Sequence, residues 1–128
     1  MVSPKKLTPT VKPLSGGAIR LFPLKYNGFT GDTVGIAEGI ETAIAATQLS
    51  EIPTWAAIGT SLLESFQPPE GVKRVVIFGD NDTNFAGQKA AYILANKLVL
   101  KDYVVDVEIP AKVGDFNDEF IRLTENIG

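Results

Sequence analysis

The 128-residue chain contains no cysteine and no histidine. The first absence removes disulfides, thiolate nucleophiles and cysteine-based zinc sites, and the second removes imidazole bases and ligands. Any catalysis therefore falls to carboxylates, hydroxyls, amines and metal ions. No apolar run approaches the roughly 18 to 20 residues of a membrane span. The opening Met1-Val2-Ser3-Pro4-Lys5-Lys6 also lacks the apolar segment of a secretory signal, so a cytoplasmic protein without membrane contact is expected. Acidic residues are missing before Asp32, a stretch that holds five basic ones (Lys5, Lys6, Lys12, Arg20, Lys25), whereas the rest carries seven basic against fifteen acidic. The basic start reads either as a solubilising arm or as a phosphate contact, with Arg20 a candidate nucleic-acid-binding residue. Nucleic-acid affinity comes mainly from Lys and Arg neutralising phosphates. With a net charge of −3, the chain is expected to bind nucleic acid weakly unless a larger parent protein or a partner helps.

What is present suits one modest domain: 45% of residues are apolar and 21% charged, an ordinary balance for a chain with a single core. Four of the eight prolines fall in the first 23 residues and Ser15-Gly16-Gly17 follows, so residues 1–17 read as a linker or extended arm and 18–128 as the domain. Ala18 to Phe22 and the Asn-Gly turn signal in Tyr26-Asn27-Gly28-Phe29 predict a small N-terminal strand or hairpin. From Thr33 the pattern is regular. Thr33–Ala37, Thr54–Ile58, Lys73–Phe78 and Tyr103–Ile109 read as strands. Ile40–Leu49 and Ala86–Leu100 read as helices, and Ser61-Leu62-Leu63-Glu64 has capping-box spacing for a short helix. A loop over Pro110–Gly114 and a short helix over Asp115–Leu123 complete the chain. Strands alternating with helices predict an α/β fold, a mainly parallel four-stranded sheet flanked by helices.

In such sheets ligands sit beyond the carboxyl ends of the strands. Two strands here end in acids: Val34-Gly35-Ile36-Ala37-Glu38-Gly39, and Val75-Val76-Ile77-Phe78-Gly79-Asp80-Asn81-Asp82. If the first and third strands are neighbours, as strand order 2-1-3-4 would make them, these ends lie roughly 4.8 Å apart and Glu38, Asp80 and Asp82 share one site. Mg²⁺ prefers oxygen ligands and is usually held by one or two carboxylates plus phosphates and waters; Asp80 and Asp82 supply the carboxylates, Glu38 either completes a second metal site or moves a proton, and Mn²⁺ is the alternative ion. The plainer reading is that Asp-Asn-Asp makes a turn by bonding nearby backbone, and that Glu38 and Glu41 favour a helix N-terminus. Yet a carboxylate directly after a buried apolar run, as at Glu38, loses hydration unless something compensates.

Glu38-Gly39-Ile40-Glu41-Thr42-Ala43, then Ala57-Ile58-Gly59-Thr60, then Gly79-Asp80-Asn81-Asp82 and Gly87-Gln88-Lys89-Ala90-Ala91 resemble, in this order, the Toprim domain of bacterial-type primases, topoisomerases and some nucleases. The resemblance spans about residues 18–120 and is strongest to the primase-like subgroup of plasmid and phage primases and primase-helicases. It implies a Toprim-like, Rossmann-like fold and a Mg²⁺-dependent nucleotidyl or phosphoryl transfer. By the resemblance, Glu38 is a general base in polymerisation or a general acid in strand cleavage, and Asp80 and Asp82 bind the metal. It also implies nucleic acid and nucleoside triphosphates as partners, with a template-binding or helicase region elsewhere in a longer protein. One departure stands out. The compact family pattern reads Asp-x-Asp-x-x-Gly, whereas Thr83-Asn84-Phe85-Ala86 separate Asp82 from Gly87 here, a loop two residues longer that leaves the roles of Asn84 and Lys89 open. Lys89 reads as a phosphate contact or as a solvated helix lysine. Gly114-Asp115-Phe116-Asn117-Asp118 resembles a late acidic motif, and Asp115 either extends the metal set or caps a helix.

Two other functions fit parts of the chain. Phe78-Gly79-Asp80-Asn81-Asp82-Thr83 suits the nucleophile motif of haloacid-dehalogenase-type phosphatases, but that motif normally opens its fold, and Glu38 would then have no role. A noncatalytic Toprim-like module, docking to protein or nucleic acid, leaves the mutual repulsion of three acids at one sheet edge to be relieved by a cation.

Overall fold

A computed structural model describes residues 17–24 and 31–110. Seven elements follow one another: β1 (Thr33–Glu38), α1 (Ile40–Ser50), β2 (Thr54–Ala57), α2 (Thr60–Glu64), β3 (Arg74–Phe78), α3 (Ala86–Leu100) and β4 (Val104–Glu108). The strands form one parallel sheet in the order β2-β1-β3-β4. The α/β architecture is the one the alternation predicted, and the neighbouring position of β1 and β3 on which the shared site depended is observed. Expectations for residues 1–16, for the turn at Tyr26-Asn27-Gly28-Phe29 and for residues from 111 onward, Asp115 and Asp118 included, lie outside the described residues.

Side-chain size decides how each face of the sheet is covered. On one face Ala43 and Ala46 of α1 meet Ala37, Ala56, Val76 and Phe78. On the other, Leu63 of α2 and Ala91, Leu94 and Leu98 of α3 pack on Val34, Ile36, Val75 and Ile77. Leu94 is fully enclosed, and burying a side chain of that size contributes about 1.5–3 kcal/mol. Trp55 and Phe78 are core residues, as their apolar strands implied. The indole N–H of Trp55, which would be costly to bury without a partner, donates to the carbonyl of Phe22 at 2.8 Å. Its ring meets Phe66 edge-on.

Two local expectations are corrected. Ala18–Phe22 does not form a strand: Ile19 makes an isolated antiparallel bridge to Ala56 at the sheet edge, with both of its hydrogen bonds to that residue. Nor does Ser61 cap the short helix. The chain turns at Gly59, whose φ of 96° suits glycine, so α2 begins at Thr60 and Ser61 falls inside it.

Candidate functional site

Backbone pairing carries the acids to one edge. The amide of Gly39 donates to Ala57 O at 2.8 Å, extending the β1–β2 pairing past Glu38 before the chain turns into α1. Likewise Gly79 N donates to Glu108 O at 2.9 Å, holding β3 against β4 up to the residue before Asp80. Between these ends lies a cleft of about 400 Å³, walled by Glu38, Glu41 and Thr42 from one side, Ile58 and Gly59 from β2's end, and Asp80 from β3's. The half-buried Glu38 carboxyl is held above its ordinary value of 4.5, first by loss of hydration and then by the negative charge of Asp82. Glu38, Asp80 and Asp82 are thus brought together as expected, two on the cleft wall and the third close enough to repel the first.

The long loop after Asp82 folds back rather than carrying α3 away. Phe85 N donates to Asp82 O at 3.1 Å, closing a turn over Thr83 and Asn84. Ala86 N donates to Asn84 Oδ1 at 3.1 Å, and Phe85 takes the left-handed conformation at φ 63°. The helix then starts directly against the acids: Gly87 N donates to Asp82 Oδ2 at 2.8 Å, so Asp82 caps α3 from four residues before its first residue. A carboxylate has about four acceptor positions, and this bond uses one of them. Asn84 therefore serves the turn, and Asp82 serves both the turn and the helix.

Lys89 is exposed in the first turn of α3. Arg20 lies with its guanidinium 4.7 Å from the centre of the Trp55 ring, a contact that shields the indole; it is not among the described residues lining the cleft. Glu41 stands in the first turn of α1, where negative charge is favoured. Asn81 and Gln88 were not singled out in the sequence. Their side chains hold the acidic loop from both sides, a role with no signal beyond their places inside the two motifs.

All donors at this edge are oxygens, which suits a hard divalent cation. Asp80 Oδ1 is shut off from solvent, and Glu38 and Asp82 repel one another, a strain that positive charge relieves. Among the described residues no three acids form a ready-made metal cluster. Mg²⁺ commonly takes one or two carboxylates and completes its shell with phosphate and water, so the donor set fits such an ion.

The Toprim domain family model matches residues 33–124, from the first strand through the segment after β4. The chain belongs to the Toprim family. No curated protein matches the sequence. Among solved structures, the Toprim chain is similar to one described as the crystal structure of a DNA primase domain from Pseudomonas aeruginosa, with 17% identity and a TM-score of 0.57. That likeness, at the level of fold, covers 81% of this chain and 33% of the other. Asp80 follows β3, which two strand-helix units precede, whereas a dehalogenase-type nucleophile motif normally opens its fold. No helix among the described residues is long and apolar enough to cross a membrane.

The raised pKa of Glu38 makes a prediction for the metal-free domain. Well below pH 4.5, the ordinary value, Glu38 is protonated in folded and unfolded chains alike. As pH rises the unfolded chain releases its proton first, so the fold loses stability relative to it until Glu38 ionises in place. Glu38→Gln is therefore expected to gain stability over wild type as pH rises from 4.5, levelling off once Glu38 ionises in the folded chain, measured by urea denaturation in EDTA. A stability difference that stays constant over that range would show that the cleft does not perturb Glu38.

Proposed function

We propose that this domain is the Mg²⁺-dependent nucleotidyl-transfer core of a DNA primase-like protein that makes RNA primers. The observation that carries the reading is the meeting of Glu38 and Asp80 on one cleft wall, with the charge of Asp82 acting on Glu38. The fold shared with a structure described as a DNA primase domain supports the choice of chemistry.

In this reading Asp80 and Asp82 hold the metal, which when bound supplies positive charge at the triphosphate and eases the approach of the nucleophile. Glu38 accepts the proton of a 3′-hydroxyl. The freed oxygen bonds to the α-phosphorus of an incoming nucleoside triphosphate, the bond to the β-phosphate oxygen breaks, and pyrophosphate leaves with the electron pair. The shift in Glu38 favours this role, because a carboxylate of raised pKa is a stronger base than an exposed one. Gly39 brings only backbone to the cleft, with no atom within 4 Å of where a Cβ would stand, which leaves room for the triphosphate. Lys89, exposed near the acids, and Arg20, on the Trp55 side, are the proposed nucleic-acid or nucleotide contacts. Asp115, on the segment that follows β4, is the proposed additional metal ligand. Template binding and any helicase activity belong to other regions of a longer cytoplasmic protein.

A full-length protein containing this domain, given single-stranded DNA, ribonucleoside triphosphates and Mg²⁺, is expected to yield short RNA. Synthesis should stop with EDTA and return with excess Mg²⁺ or Mn²⁺. Absence of product under all these conditions, with DNA or protein binding retained, would replace this reading with that of a noncatalytic module.

A further inference from the structure

We propose that Gln88 is the positioning residue of the acidic loop, and that with Asn81 it forms an amide clamp that fixes where Asp82 presents its carboxylate to the metal. The inference rests on the metal-binding reading above and adds to it a device that the acids themselves do not provide.

Gln88 sits half-buried in the first turn of α3. Its carboxamide engages the backbone of Asp82 on both sides: Asp82 N donates to Gln88 Oε1 at 3.3 Å, and Gln88 Nε2 donates to Asp82 O at 3.2 Å. The same Nε2 donates to Asn81 Oδ1 at 3.0 Å. Asn81 in turn donates from Nδ2 to the carbonyl of Pro110 at 2.7 Å, just beyond the end of β4. The chain of bonds fixes the orientation of both amides. Turning Asn81 over would set its NH₂ against that of Gln88 and its oxygen against the Pro110 carbonyl, and turning Gln88 over would set its NH₂ against the Asp82 amide.

The clamp therefore ties the loop to α3 on one side and to the end of β4 on the other. Together with the bond from Gly87 N to Asp82 Oδ2, Asp82 is held at its amide, its carbonyl and its carboxylate. Glutamine suits this place because one side chain must both accept from an amide and donate to a carbonyl. A carboxylate in its place has no donor, and an apolar side chain of the same length has neither. Groups that orient a metal ligand without touching the metal typically matter 10- to 100-fold in affinity, an effect read on folded protein and so distinct from the stability lost with the same bonds. Positioning and simple stabilisation are separable on that basis.

Mn²⁺ alone, titrated into the 128-residue chain and followed by electron paramagnetic resonance, is the probe. Asp82→Ala should abolish binding. Gln88→Met, which keeps length and loses all three bonds, should weaken it about tenfold or more at a temperature where the variant is still folded. In the metal-free protein the Asp82 amide should also exchange its hydrogen faster in Gln88→Met. The loss in the Asn81→Ala, Gln88→Met double variant should be smaller than the product of the two single fold-losses, because the two side chains share the Asn81–Gln88 bond. Should Gln88→Met unfold, Asn81→Ala decides by the same titration, with weaker binding expected. Wild-type affinity in the folded clamp variants, with binding lost in Asp82→Ala, would overturn the clamp and leave the metal site standing. No Mn²⁺ binding by the wild type would overturn both.

Discussion

Glu38→Gln, introduced into a full-length protein that carries this domain, is expected to lower primer synthesis by about 10²- to 10⁴-fold. The substitution keeps the shape of the side chain and its place at the end of β1, and removes only its capacity to take a proton. The metal-free fold should survive, and above the ordinary glutamate pKa should gain stability, because the variant puts no charge in the half-buried cleft beside Asp82. Opposite effects on stability and activity are what distinguish a functional group from a structural one. The loss should fall mainly on kcat, since Glu38 acts on the reacting hydroxyl. Primer synthesis at the wild-type rate by the folded variant would sink the assignment of Glu38 as the base.

That outcome bears on Asp82 as well. Its bond to the Gly87 amide is an ordinary helix cap, the plainer reading of an Asp-Asn-Asp turn, and it coexists with the metal reading rather than displacing it. The same carboxylate that caps α3 also raises the pKa of Glu38. Negative charge is itself favoured at a helix N-terminus, so capping and the charge of Asp82 are compatible. In the proposed reading the same carboxylate also faces the metal together with Asp80, and Asp82→Ala separates the two roles, since loss of Mn²⁺ binding by a folded variant is not an effect of capping.

The sheet was legible because its strands are short apolar runs separated by helices of the right length, whereas the order 2-1-3-4 is one of several that right-handed crossovers permit and had to be assumed. Placing Glu38 and Asp80 at one edge needed only that order. The edges of the pattern were harder. Ala18–Phe22 has a strand's composition, yet only Ile19 finds a partner, at Ala56. Ser61 has the spacing of a cap, yet a glycine with positive φ took the position before the helix. The loop after Asp82 was the least readable element. Its two extra residues left the roles of Asn84 and Lys89 open, and a turn over Thr83 and Asn84 and the left-handed Phe85 absorb them. Gln88 and Asn81 act through partners six to 29 positions away, separations at which sequence spacing carries no geometric information.

Gly87→Ala tests how closely α3 must approach the acids, and its expected effect on activity is about 100-fold. A Cβ on Gly87 would lie 2.8 Å from Asp82 Oδ2, 2.9 Å from Asp80 Cβ and 3.0 Å from the Asp80 carbonyl oxygen. The first contact can yield by rotation of the Asp82 side chain, though only by loosening its bond to the Gly87 amide. The other two involve the chain of Asp80 itself, which is held through Gly79 to β4, so either the loop or the helix start must move. Overpacking of this kind costs about 1–3 kcal/mol, while alanine is favoured over glycine inside a helix by about 1 kcal/mol. The net loss of stability is therefore at most about 2 kcal/mol by the same two terms, and the folded variant should remain available for assay. Both contacted residues are proposed metal ligands, and a displacement of about 1 Å at reacting groups is enough for a 100-fold loss of rate. Mn²⁺ affinity should fall together with the rate, whereas Glu38→Gln should leave affinity nearer to wild type, so the two variants separate metal placement from proton transfer. A Gly87→Ala protein that folds and retains full activity would show that the contact between α3 and the acidic loop is packing alone.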